Sequence, residues 1–190
     1  MEPCNHLGKT GPCTEAIINS GIKNVIIGAE DPNPLVSGSG IKNLISHGVA
    51  VQTGVCAELV QKQNKFFFFK NTNKRPYITI KIASSKDGKS HLADGDRTFI
   101  TSKESRQDVQ ELRAIHDAIL TGGNTVVNDL PKMNARVNFP LNQPKKILLS
   151  NKSNLDLSAE FFKDCNYEIL NETDIHKIIE KYIKTDITSI

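Results

Sequence analysis

The chain has 190 residues, of which 38% are hydrophobic and 24% charged, with a formal net charge of +3 at pH 7. This composition is typical of a globular protein with one or two cored domains. Basic and acidic residues are interspersed, so no dense basic block predicts nucleic-acid binding. No run of about 18 apolar residues predicts a membrane span, and no signal pattern opens the chain. We therefore expect a cytoplasmic protein without nucleic-acid or membrane partners.

The first 70 residues alternate between short helical and strand patterns. Helices are predicted over 14–20, 39–47 and 56–69, and strands over the apolar runs 24–29 and 49–54. The prolines of "DPNP" (31–34) predict a turn, because each fixes its own φ and disfavours a helical residue before it.

The polar, turn-prone stretch "NTNKRP" (71–76) predicts a domain boundary. Beyond it, strands are predicted over 77–83, 117–122 and 145–150, and helices over 102–115 and 175–183. The strand over 117–122 is expected to enter a Gly-Gly turn. The first of these helices is preceded by the T-x-x-E pattern of Thr101 and Glu104, which is typical of a capping box. Strands that alternate with helices predict an α/β fold with parallel pairing in both parts.

Two cysteines, Cys4 and Cys13, stand close together near the start of the chain. Zinc sites use three or four Cys, His or carboxylate ligands, and a close cysteine pair in a cytosolic protein favours metal binding over a disulfide. Zinc deaminases carry H-x-E followed by P-C-x-x-C, and Pro3-Cys4 fits the Pro-Cys half only. Two ordinary free or buried thiols fit the pair as well, so this signal alone is weak.

Four longer stretches of the sequence indicate a function more specifically than the cysteine pair does. They are "MEPCNHLGKTGPC", "DPNPLVSGSG", "RPYITIKIASSKDGK" and "TFITSKESRQDVQELRAIHDAILTGGNTVVNDLPKMNAR". In this order they resemble the bifunctional deaminase/reductase family of riboflavin biosynthesis, over nearly the whole chain.

The resemblance implies two domains and two reactions. Residues 1–72 would be the C-terminal part of a cytidine-deaminase-like three-layer α/β/α domain. It would use Zn²⁺ to deaminate the pyrimidine of 2,5-diamino-6-ribosylamino-4(3H)-pyrimidinone 5′-phosphate. Residues 73–190 would be the N-terminal part of a dihydrofolate-reductase-like α/β domain, which would use NADPH to reduce the ribose to ribitol.

The resemblance also implies site residues. Cys4 and Cys13 match the zinc cysteines of the family. The positions expected to line the NADPH site are Ala83, Phe99, Thr125 and Asp129, and those expected at the substrate are Arg97, Arg113, Met133 and Arg136. Phe99 stands where Trp is common and Arg97 where Ser is usual. A guanidinium fork suits a phosphate monoester, although without the resemblance Arg113 would be taken for a surface ion-pair former.

Two family segments are expected outside this chain. The H-A-E segment, which supplies the zinc histidine and the catalytic glutamate, is expected about 25 residues before the Pro-Cys motif, so no deaminase catalytic residue is predicted here. The glycine-rich NADPH loop is expected after "DITSI". The chain thus resembles the middle of the enzyme, and we expect it to lack activity alone.

Other functions stay open at this stage. The chain could be a remnant that binds only zinc or a nucleotide and acts with a complementing partner, and association of further copies is left open. A nucleic-acid deaminase is disfavoured, because it would need a basic groove and a closely spaced P-C-x-x-C, and because the reductase-like part would go unexplained.

Overall fold

The computed structural model describes residues 1–92, 99–152, 155–164 and 166–190. The chain divides into two compact units, Met1–Lys74 (unit 1) and Arg75–Ile190 (unit 2). No helix in the described parts of the chain combines the length and the apolar character that a membrane crossing requires.

Unit 1 is built from four helices and two short strands. In chain order these are α1 (Cys13–Asn19), β1 (Asn24–Ile27), α2 (Ser39–Ser46), β2 (Ala50–Thr53), α3 (Ala57–Gln63) and α4 (Lys65–Asn73). The strands pair in parallel, with Asn24 opposite Ala50. The single helix predicted over 56–69 is two helices, because Asn64 leaves the helical region at φ −107° and ψ 28°.

A buried carboxylate ties the start of unit 1 to helix α2. Glu2 is 6% exposed, and its oxygens accept four backbone hydrogen bonds of 2.9 to 3.2 Å, from Asp31, Gly38, Gly40 and Ile41. The first N–H groups of a helix lack partners inside the helix and favour a negative charge. Gly40 permits the approach, since a Cβ there would lie 2.0 Å from the carbonyl oxygen of Pro3.

The predicted three-layer α/β/α arrangement is wrong for residues 1–72. A sheet in the middle of three layers is covered on both faces. The sheet of unit 1 has two strands, and Ile26 in β1 is 68% exposed. The alternating sequence pattern located the elements but carried no information on how many strands would pair or be covered.

Unit 2 contains a three-stranded parallel sheet with helices before, between and after its strands. Its elements are α5 (Lys103–Ala114), β3 (Ala118–Gly122), α6 (Gly123–Asp129), β4 (Lys145–Leu149), β5 (Tyr167–Leu170) and α7 (Ile175–Lys181). The strand order is β3-β4-β5. Ala118 lies opposite Lys145, and Lys146 opposite Tyr167.

Both faces of this sheet are buried. Successive strand residues point to opposite faces, so Ile147 and Leu148 of β4, each 0% exposed, pack into different clusters. One cluster contains Ala118, Ile147, Leu170, Ile178 and Tyr182, and the other Val126, Leu148, Phe161 and Phe162. This double burial explains the continuous apolar run in "KKILLS".

Several elements differ from their sequence predictions. The alternating segment 77–83 is not a strand, since Ile80 and Ile82 are 80% and 77% exposed and only Tyr77 forms a ladder contact, with Ser189. Helix α5 begins after Ser102, whose hydroxyl accepts from the N–H of Ser105, and not after Thr101. Helix α6, where a Gly-Gly turn was predicted, and strand β5 were missed.

The carboxylate of Asp117 holds segment 188–190 beside β3. It accepts from the N–H and the hydroxyl of Thr188 at 2.7 and 2.6 Å, and from the N–H of Ser189 at 3.2 Å. On the other side of this segment, the N–H of Tyr77 donates to the Thr188 carbonyl and that of Ile190 to the Tyr77 carbonyl. Segment 188–190 therefore lies between residues 77–79 and β3.

An ionic cluster joins β4, β5 and α7. Glu168 pairs with Lys181 and with Lys145, whose Nζ lies 2.7 Å from Oε2, and accepts from the Tyr182 hydroxyl at 3.1 Å. Partial burial raises the pKa of Glu168, but these three hydrogen bonds together outweigh it and lower that pKa to about 2. Burial and the nearby Glu168 charge raise the pKa of Tyr182.

Glu168→Gln should destabilise unit 2 at neutral pH. The pKa of Glu168 is lowered from 4.5 to about 2 on folding. The Glu168 carboxylate therefore contributes its full stabilisation of unit 2 above pH 4.5, and this stabilisation is lost as the pH falls towards 2. We expect the free energy of unfolding to fall by about 2 kcal/mol at pH 7, a value that allows for the partial exposure of Glu168. This difference from the wild type should shrink between pH 4.5 and 2. Urea unfolding followed by tyrosine fluorescence measures this, since Tyr77, Tyr167 and Tyr182 all lie in unit 2 and the chain has no tryptophan.

The control is Glu180→Gln, an exposed position on α7. It should unfold like the wild type throughout the pH range. Equal stability of Glu168→Gln and wild type at pH 7 would contradict the assigned role of the cluster.

Candidate functional site

Unit 2 contains a cavity of about 740 Å³. Its walls come from three parts of the unit: positions in 81–90, residues of 99–113 in and before α5, and residues of 129–136 after α6. A cavity of this size is within the range of small-molecule and cofactor sites.

Six of the predicted site residues lie on this wall. They are Ala83, Phe99, Arg113, Asp129, Met133 and Arg136. Thr125 is exposed on α6 and is not among the lining residues, and Arg97 lies outside the described residues. The structure therefore brings both predicted sets, cofactor and substrate, to one cavity, while the role of each residue stays a prediction.

The wall carries an excess of positive charge. Its described cationic residues are Lys81, Lys103, Arg106, Arg113, Lys132 and Arg136, and Asp129 is the one carboxylate among the described lining residues. Cations that converge on a concave surface raise the local concentration of anions and attract phosphate groups in particular. The cavity is thus suited to a polyanionic ligand.

Arg113 has an unusual environment for a guanidinium. It is partly buried, and its two terminal nitrogens donate to the Asn134 carbonyl at 3.2 Å and to the Met133 Sδ at 3.5 Å. Burial lowers the pKa of Arg113, and the charge of Arg136 lowers it further. The group still stays protonated, because the starting pKa of arginine is so high.

An aromatic ring and a second arginine form another part of the wall. The guanidinium carbon of Arg106 lies 4.6 Å from the ring centroid of Phe99, and its Nη1 donates to the Thr101 carbonyl at 2.5 Å. The ring is 64% exposed. Phe99 therefore presents a flat apolar surface, beside a cation that is fixed in position.

Two glutamines hold the loop 130–136 that forms one side of the cavity. The Gln143 amide accepts from the N–H of Ala135 at 2.9 Å and donates to its carbonyl at 3.0 Å. Gln110 is buried and accepts from the N–H of Arg136 at 3.2 Å. Sequence reasoning missed both glutamines, because no local pattern distinguishes a glutamine that holds a distant loop from one at the surface.

The predicted zinc residues lie together in unit 1. The N–H of Cys13 donates to the Sγ of Cys4 at 3.4 Å, and both cysteines are free. The side-chain hydrogen bond with Cys4, followed by the charge of Cys4, raises the pKa of Cys13. The described residues contain no group of three or more His, Cys, Asp or Glu side chains that could hold a metal, so the zinc prediction is not supported.

Comparison with known proteins identifies the family. Residues 76–186 match the model of the RibD C-terminal domain, which covers more than half of the chain. The chain belongs to the RibD family.

Relatives with known names agree with this assignment. The riboflavin biosynthesis protein RibD of Aquifex aeolicus is 45% identical over 160 residues, which are 84% of this chain and 45% of that protein. RibD of Bacillus amyloliquefaciens is 42% identical over 164 residues, which are 86% of this chain and 44% of that protein. The chain thus spans about half the length of these RibD relatives.

Solved RibD structures resemble this one closely. RibD of Acinetobacter baumannii is 33% identical, with a TM-score of 0.85 over 96% of this chain and 57% of that one. The diaminohydroxyphosphoribosylaminopyrimidine deaminase/5-amino-6-(5-phosphoribosylamino)uracil reductase of Thermotoga maritima is 36% identical, with a TM-score of 0.83 over 99% of this chain and 58% of that one.

The family match corrects the predicted fold class. The domain that it assigns is the RibD C-terminal domain, a reductase domain with a dihydrofolate-reductase-like fold. The prediction of a cytidine-deaminase-like domain followed by such a part is therefore wrong, in agreement with the two-stranded sheet of unit 1.

Cys4→Ala should lower the pKa of the Cys13 thiol towards its ordinary value of 9.0. The variant removes both the hydrogen bond and the charge that raise it, so the thiolate should form at lower pH. Alkylation of Cys13 by iodoacetamide, followed against pH by peptide mass mapping with a chelator present, measures the shift. The exposed thiol of Cys56 in the same digests is the internal reference. An unchanged Cys13 profile would contradict the proposed contact.

Proposed function

We propose that unit 2 binds NADPH and a phosphorylated ribosylaminopyrimidine in the cationic cavity, and that this cavity serves the reduction of the ribose to ribitol in riboflavin biosynthesis, while the expectation that the chain lacks activity alone stays a prediction. The family assignment and the name of the Thermotoga maritima relative support the reaction class. The observation that carries the proposal is the cavity wall, whose described residues include six cationic side chains and one carboxylate.

The cavity fits this pair of ligands in charge and in size. NADPH carries several phosphate charges, and the substrate adds a phosphate monoester, so both ligands need cationic partners. A volume of about 740 Å³ is ample for the reacting halves of two small molecules.

The cofactor side is assigned to the residues that the resemblance predicts there. Phe99 offers its exposed ring to a planar group, with Arg106 fixed against the ring. Ala83 and Asp129 line the same cavity, and Thr125 is assigned on the resemblance alone. When bound, NADPH would supply the hydride for the reduction.

The substrate side is assigned to Arg113, Arg136 and Met133. Two guanidinium groups match the charge of a phosphate dianion, and the partial burial of Arg113 strengthens its attraction for an anion. Met133 adds an apolar contact beside them. These residues bind and orient the substrate; none of them is assigned a proton transfer.

The deaminase part of the resemblance does not enter this proposal. Cys4 and Cys13 provide two sulfur ligands, whereas structural zinc sites use four protein ligands and catalytic sites three. The described residues contain no group of side chains that could hold a metal ion, so no observation favours a second function in zinc binding.

Phe99→Ala should weaken NADPH binding about three- to tenfold, since it removes an aromatic contact with a planar ring. Titration of the full chain with NADPH, followed by the fluorescence of the dihydronicotinamide, measures the affinity without the pyrimidine substrate.

The matched control is Phe139→Ala, which removes another exposed ring, 52% exposed against 64% for Phe99, outside the cavity wall. Its NADPH affinity should equal that of the wild type. A wild-type chain that does not bind NADPH would overturn the proposed function, and equal losses in both variants would overturn the assignment of Phe99.

A further inference from the structure

Asn134 contacts both arginines of the proposed substrate side. Its backbone carbonyl accepts from Nη1 of Arg113 at 3.2 Å, and its side-chain oxygen accepts from Nη1 of Arg136 at 2.9 Å. One residue thus fixes two guanidinium groups, through two different acceptors.

The two guanidinium groups have no anionic partner in the described parts of the protein. Neither Arg113 nor Arg136 forms an ion pair with a described carboxylate, although Lys132 in the same loop pairs with Glu160, and further ion pairs occur away from the cavity. Arg136 is close enough to lower the pKa of Arg113 by repulsion. The backbone carbonyl and the side-chain oxygen of Asn134 are both uncharged, so they hold two like charges near each other without cancelling either, and the repulsion favours an anion that contacts both.

The backbone around Asn134 is restrained. Met133 just before it has φ 50° and Leu130 has φ 44°, in the left-handed region that side chains other than glycine rarely adopt. Gln143 holds Ala135 on the other side through both atoms of its amide. Strain of this kind persists only where the surroundings impose it, and it is common at ligand sites.

We propose that Asn134 is a positioning residue that holds Arg113 and Arg136 at the spacing needed to bind one phosphate monoester. This inference rests on the proposed function, since it concerns the phosphate of the substrate. The side chain must be a neutral acceptor: an aspartate of the same shape would pair with Arg136 and replace the phosphate as its anion.

The test compares the binding of ribose 5-phosphate with that of ribose, in the full chain, by ligand-observed NMR. Asn134→Asp should weaken ribose 5-phosphate binding about tenfold or more, because a permanent counterion competes with the phosphate. Asn134→Ala removes only the side-chain hydrogen bond to Arg136 and should weaken ribose 5-phosphate binding about threefold. Ribose binding and NADPH binding should not change in either variant.

Asn142→Asp is the matched control. It adds the same charge at an exposed position of unit 2 outside the cavity wall, and it should bind ribose 5-phosphate like the wild type. If Asn134→Asp does not fold, Asn134→Ala carries the test.

Three results would count against the inference, and they are distinguishable. A wild type that does not prefer ribose 5-phosphate to ribose overturns the substrate side of the proposed function and this inference with it. A selective wild type with equally selective Asn134 variants overturns the role of Asn134 alone. Parallel losses of NADPH and ribose 5-phosphate binding show a structural role and also overturn it.

Discussion

The cavity of unit 2 depends on the restraint of the loop 130–136 by side-chain amides. Gln143 bonds both backbone groups of Ala135, and Gln110 bonds the N–H of Arg136. Together with the hydrogen bonds of Arg113 to Asn134 and Met133, they hold a loop that contains two residues with positive φ. The same loop presents Met133, Asn134 and Arg136, so the position of the candidate substrate side is set by residues that do not carry its charge.

Positive charge gives the candidate site its chemical character, and uncharged hydrogen-bond acceptors hold its arginine side chains in place. Carbonyl oxygens accept the hydrogen bonds of Arg113 and Arg106, and an amide oxygen accepts that of Arg136. Neutral acceptors satisfy the donors of a guanidinium but leave its charge available. The opposite arrangement occurs away from the cavity, where Glu168 pairs with Lys145 and Lys181. On the cavity wall itself, Lys132 pairs with Glu160, whereas Arg113 and Arg136 have no ion pair with a described carboxylate.

The sequence predicted most helices and strands, because amphipathic and apolar periodicities are local. It failed where tertiary contacts decide the outcome. Segment 77–83 alternates like a strand, yet no described strand pairs with residues 80–83. Strand β5 was missed because Glu168 interrupts its apolar run, and its charge is compensated only by distant lysines. Helix α6 was taken for a turn because of its glycines, although Gly123 serves the close approach to Ser150, 2.6 Å from where a Cβ would lie.

The sequence predicted those residues of the candidate site that stand at family motif positions. It did not predict the residues whose part in the site depends on tertiary contacts. Motif positions placed six residues that the fold gathers at one cavity. Gln110 and Asn134 lie within the longest quoted stretch and Gln143 lies after it, but the sequence does not show which residues their side chains contact, so only the folded chain reveals their part in holding the site. The fold-class error at 1–72 has the same origin, because strand pairing and sheet coverage are not properties of a local segment.

The contact between residues 77–79 and 188–190 also constrains how unit 2 folds. Tyr77 and Ser189 are more than 100 positions apart in the sequence, yet their segments exchange backbone hydrogen bonds. Closing so long a loop carries an entropic cost before the contact can stabilise the unit. During synthesis, residues 77–79 must therefore wait for segment 188–190 to leave the ribosome before their backbone groups find these partners.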